Sequence, residues 1–65
     1  MEKYRIKTAQ RSGEDYKTMI ILDDTWDEIA EYRLDPGTEK SQIARTRRAI
    51  NRHLDDGGTL ANYNW

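Results

Sequence analysis

Four consecutive apolar residues, Met19-Ile20-Ile21-Leu22, form the longest such run in a chain of 65 residues. With Tyr16-Lys17-Thr18 before them they make a β-favouring stretch, 16–22, that is apolar on both faces at its end. Such a strand belongs in the interior of a structure, where neighbours cover both sides. The remaining segments have to supply that cover.

The segment before it alternates. Lys3, Arg5 and Lys7 fall on one face and Tyr4, Ile6 and Thr8 on the other, the period-two pattern of a half-buried strand over 3–8. Between the two runs, Gln10-Arg11-Ser12-Gly13-Glu14-Asp15 is polar and contains a glycine, which predicts a hairpin loop.

After Leu22 the pattern predicts helices. Thr25 stands three residues before Glu28 in a capping-box spacing, and the acids around them suit the positive end of a helix dipole. Over 25–34, Trp26, Ile29, Ala30 and Leu34 project to one side. Asp24, Asp27, Glu28 and Glu31 project to the other, giving an acidic outer face. Asp35-Pro36-Gly37 ends this element. Thr38 can cap a second helix over 38–55, with Ile43, Ile50 and Leu54 in line and Arg45, Arg48 and Arg52 almost opposite. Gly57-Gly58 stops it by offering a left-handed position. The tail, 59–65, reads as a short third strand or a loose end. The fold class expected is α+β: one small domain over 1–65, an N-terminal antiparallel hairpin followed by two amphipathic helices. Its core is expected to hold Ile20, Leu22, Trp26, Ile29, Ile43, Ile50 and Leu54.

Composition narrows the function. Hydrophobic residues are 35% of the chain, with no Val or Phe, so a core of this size is lean. Such a chain is either marginally stable alone or gains stability from a partner or from its own homodimer. Cysteine is absent, which removes disulfides and thiolate metal sites and fits a reducing, cytoplasmic setting. No apolar run approaches the roughly 20 residues that span a bilayer, and Met1-Glu2-Lys3-Tyr4-Arg5 is not a signal peptide. A membrane role is therefore not expected.

Enzymatic chemistry is not expected either. The one histidine, His53, has Ala49, Ile50 and Asp56 as its helical neighbours, which build no catalytic constellation. Asp23-Asp24 and Asp27-Glu28 lack the ligand alternation of a calcium loop, and the glycines form no phosphate-binding motif. No cofactor or metal is implied.

Charge is sorted along the chain. Residues 23–39 carry seven acids against Arg33, a net −6, whereas 40–53 carry five basic residues and no acid, a net +5. Attraction between two helix flanks accounts for part of this, but not for three arginines placed away from the apolar line. Guanidinium groups there suit bidentate contact with carboxylates or phosphates. Arg45, Arg48 and Arg52, the acids Asp24, Asp27, Glu28 and Glu31, and the aromatic Tyr63 and Trp65 are the candidate partner-binding residues. The leading expectation is a non-enzymatic protein-binding module, an inhibitor or regulator of a larger protein, whose acidic helix can also imitate nucleic acid. Small accessory proteins of phages and mobile elements offer an analogy.

The alternative is a DNA-binding regulator that uses the Arg-rich second helix. The strand-helix-turn-helix order from Lys17 to Leu54 resembles ribbon-helix-helix repressors, and Thr25-Trp26-Asp27-Glu28-Ile29-Ala30 resembles the first helix of helix-turn-helix domains. The first resemblance implies base reading by paired strands, yet Met19-Ile20-Ile21-Leu22 carries no alternating polar residues. The second implies a short turn, where Leu34 to Ser41 is long. A net charge of −1 also disfavours phosphate neutralisation.

Overall fold

The structure, a computed structural model, describes residues 3–65. It contains β1 (Tyr4–Ala9), β2 (Thr18–Asp23), β3 (Glu28–Arg33) and α1 (Glu39–Asp55), with the strands in one antiparallel sheet ordered β1-β2-β3. Ile6 pairs with Ile21, and Ile21 with Ala30. Alternation then sorts the faces. Tyr4, Ile6, Met19, Ile21, Ala30 and Tyr32 look toward α1, while Arg5, Lys7, Ile20, Leu22, Glu31 and Arg33 look away.

Under α1, Ile21, Ile50, Leu54 and Leu60 form a buried cluster, with Tyr4, Ile6, Ile29, Ala30, Tyr32, Tyr63 and Trp65 packed around it. The Tyr4 hydroxyl donates to Asn51 Oδ1 at 2.6 Å, fixing α1 across β1. On the other face no helix among the described residues lies over the sheet, yet Ile20 and Leu22 are buried. Long side chains roof them by laying their stems on apolar surface. The Arg5 guanidinium sits 4.1 Å from the Trp26 ring centre and that of Arg33 4.3 Å from Tyr16, while Arg11 pairs with Glu31.

The architecture corrects the sequence-based fold in one element. Residues 25–34 form no helix; their greater part is β3, so a three-stranded sheet and one helix replace a hairpin and two helices. The capping-box residues have been recruited into a turn. Asp23 Oδ1 accepts the Thr25 and Asp27 N–H groups and the Thr25 hydroxyl. Thr25 is thus bound backward to Asp23 and not forward as a helix cap. Trp26 holds φ at +69°, a left-handed conformation that breaks a helix. Between the Ile21–Ala30 and Leu22–Glu28 pairs the register slips by a bulge that leaves Ile29 over, and both Ile29 and Ala30 reach the core cluster, as neighbours on a regular strand would not.

Other expectations shift with it. Trp26, expected in the core, is 63% exposed, whereas Met19, Ile21, Leu34 and Leu60 are buried; Ile29 and Ile43 are half-buried. Thr38 precedes α1 but makes no side-chain cap; instead Gln42 Oε1 accepts the Asp35 N–H at 2.6 Å. The tail 59–65 is not a strand.

Candidate functional site

The outer face of α1 is built by spacing. Positions 45, 48 and 52 fall within about 60° of one another on a helix, opposite Ile50 and Leu54, whose burial turns the arginines to solvent. Arg45, Arg48 and Arg52 are all exposed. Among the described residues none of them forms an ion pair, the salt bridge present being Arg11–Glu31. Exposed Ala44 and Ala49 flank the stripe and leave the guanidinium groups unobstructed.

The acids do not share a helix face, since that helix does not exist. Asp24 and Asp27 lie in the β2–β3 turn, while Glu28 and Glu31 stand on the sheet face away from α1, across from Leu22 and Ile20. Their electrostatics follow from this. The Asp23 carboxyl, in the same turn, is held below its usual range by the Thr25 hydroxyl first and by the Asp27 and Thr25 N–H groups and Arg5 further. A hydrogen bond with Glu31, helped by partial desolvation, pushes Glu28 up. Glu31 is held down by that same bond and by Arg11. Glu28 is therefore the carboxyl of the pair that takes up a proton first as pH falls. With residues 25–34 no longer helical, the ribbon-helix-helix and helix-turn-helix resemblances both lose the element they need.

Tyr63 and Trp65 sit where the tail folds back over α1. The last helical turn ends in a Schellman arrangement: Gly57, at φ +92°, donates to Leu54 O, and Gly58 donates to His53 O at 2.9 Å. The His53 ring lies against Gly58, where a Cβ would fall 2.3 Å from Nε2. His53 Nε2 is 2.8 Å from both Thr59 O and Asn62 Oδ1. Asn62 Oδ1 also accepts the Thr59 N–H, so both neighbours of Nε2 are acceptors and Nε2 carries the proton. Tyr63 meets His53 edge-on at 5.1 Å and Trp65 at 4.4 Å. Trp65 Nε1 donates to Leu60 O, and the Tyr32 hydroxyl donates to Trp65 O. Burial raises the Tyr32 hydroxyl above its ordinary pKa.

Tail, helix flank and β3 together bound a cleft of about 410 Å³, lined by Met19, Tyr32, Gln42, Arg45, Tyr63 and Trp65 among others. Three of the candidate residues thus meet in one concavity, whose lining combines aromatic side chains with polar ones and with two arginines, Arg33 and Arg45, a combination suited to binding. Sequence spacing alone could not join position 45 to 63 and 65. The Gly57-Gly58 stop, which reverses the chain after the helix, was the one available signal. Among the described residues no cluster of His, Asp or Glu side chains is arranged to hold a metal ion, and no helix is long and apolar enough to cross a membrane. The chain matches no protein-family model, no curated protein and no solved structure, so the site is argued from its own geometry.

Proposed function

We propose that this chain is a non-enzymatic protein-binding module, an inhibitor or regulator that docks the outer face of α1 on carboxylates of a larger protein in the cytoplasm. The observation that carries the reading is the stripe of Arg45, Arg48 and Arg52, exposed on one helix face and without an acidic partner among the described residues. Three guanidinium groups held in a row by one rigid helix are preorganised for bidentate contacts, so little order is lost on binding. The nucleic-acid imitation that an acidic helix would have offered is dropped with that helix.

The test reverses Arg48 and Arg52 to Glu. Both lie outside the cleft and away from the core, so the fold should hold, with stability changed by about 0.5 kcal/mol or less. Capture of a partner from lysate of the producing cell should fall sharply through lost pairing and new repulsion. Undiminished capture by the double reversal would overturn the reading. Salt-sensitive retardation of a mixed-sequence DNA duplex by the unmodified protein, abolished by the same reversal, would assign the arginines to phosphates instead.

A further inference from the structure

Trp26 is the exposed large hydrophobic side chain among the described residues, at 63%. It stands at the tip of the β2–β3 turn between two carboxylates, Asp24 and Asp27, both exposed. Its backbone is held at φ +69° by the hydrogen bonds gathered on Asp23. The result is an acidic turn carrying an exposed indole, one side of which rests on the Arg5 guanidinium. The cleft between α1, β3 and the tail has the opposite character: aromatic walls from Tyr32, Tyr63 and Trp65, and the unpaired Arg45 at its rim.

We propose that the cleft receives the Asp24–Asp27 turn of a second copy of this chain. The Trp26 indole enters against Tyr32, Tyr63 and Trp65, and Asp24 and Asp27 meet Arg45. The match is one of shape and of charge. The solvent-facing part of an aromatic side chain in one copy is buried in the other, and a guanidinium without an ion-pair partner among the described residues gains a carboxylate. A twofold arrangement uses the contact twice, each copy giving one turn and one cleft. The proposal rests on the reading of Arg45 as a docking residue and goes beyond it, giving Arg45 a second copy of this chain while Arg48 and Arg52 are left for the larger protein.

Sedimentation velocity on the full chain, from micromolar to near-millimolar concentration at low salt, reads the association. The unmodified protein should show a mass above the monomer that grows with concentration and falls with added salt. Trp26→Gly, Asp24→Lys and Arg45→Glu, each checked for a native circular dichroism spectrum, should each weaken association by about tenfold or more, as loss of a buried anchor or reversal of its charge does. Mixing Asp24→Lys with Arg45→Glu should restore part of the association, because one contact keeps its original Asp24–Arg45 pair and the other sets the two reversed charges against each other, with Asp27 alone left facing a like charge. An unmodified protein that stays monomeric, single variants that associate normally, or a mixture that does not recover would each overturn the proposal. Arg48 and Arg52 lie outside the cleft. If self-association fails while their reversal still strips a partner, this inference alone falls.

Discussion

Trp26 occupies a conformation that side chains other than glycine avoid at a cost of roughly 1–2 kcal/mol, and it does so on the surface, where burial gives little in return. What it gains locally is the contact with Arg5, worth about 0.5–1 kcal/mol at an exposed site. Trp26→Gly removes both effects, so the folded chain should change in stability by no more than about 1 kcal/mol in urea unfolding, although the residue's bulk is gone. A large loss would mean that the indole is structural. Gly58 is the reverse case. Its hydrogen leaves room for the His53 ring, and a methyl group there would lie 2.3 Å from Nε2. Gly58→Ala should therefore displace the ring from Thr59 and Asn62 and cost about 1–3 kcal/mol, as overpacking does. Unchanged stability would show that the tail is not anchored through His53. Asp23 gives a pH signature. Its folded pKa is lowered, chiefly by the Thr25 hydroxyl, so its contribution is present above the ordinary carboxylate value of about 3.9 and is lost as pH falls through the lowered one. In Thr25→Val, the Asp23 titration followed by carboxyl NMR should move back toward that ordinary value.

At the scale of elements, the instructive difference is β3. The apolar run 19–22 marks an interior strand, and the hairpin with β1 satisfies only one of its backbone edges. Buried N–H and C=O groups need partners, and that need calls for a second neighbour. The segment 25–34 meets it because Ala30 and Tyr32 can alternate inward against Glu31 and Arg33. Local spacing favoured helix at the same residues: Thr25 and Glu28 fit a capping box, and Ile29, Ala30 and Leu34 fit a helical stripe. Only the tertiary requirement, together with the turn chemistry of Asp23, separates the two. The bulge adds to the ambiguity by turning consecutive residues, Ile29 and Ala30, to one side. By contrast α1, observed over Glu39–Asp55, has no such competitor, because its apolar line and glycine stop agree. The arginine stripe was legible for that reason, and the cleft was not, since it depends on where the tail lands. Within α1, burial ranks the apolar line. Ile50 is fully buried and Ile50→Ala should cost about 2–5 kcal/mol, whereas half-buried Ile43 should cost clearly less. Equal losses in urea titrations would place the helix in a different rotation.

For the whole molecule, near-neutral charge conceals a separation. Residues 23–39 remain at −6 and 40–53 at +5, but they are not two helix flanks attracting each other. Asp24 and Asp27 lie in a turn and Glu28 and Glu31 on the far face of the sheet, whereas Arg45, Arg48 and Arg52 lie on the outer side of α1. Among the described residues no ion pair joins the two sets, the salt bridge present being Arg11–Glu31. The proposed association between copies would bring Asp24, Asp27 and Arg45 together, and it should then appear in stability, because a contact made only by folded chains shifts unfolding by mass action. Each tenfold rise in concentration adds up to about 1.4 kcal/mol to a dimer, which is several degrees in a domain of this size. The melting temperature of the unmodified protein should therefore climb with its own concentration at low salt. It should climb less at high salt, where the exposed Asp24 and Arg45 charges are screened. In Arg45→Glu it should not depend on concentration. Calorimetry over a hundredfold concentration range, run on both proteins, checks this: parallel flat lines would describe a chain that melts as a monomer, with its Trp26 turn in water throughout.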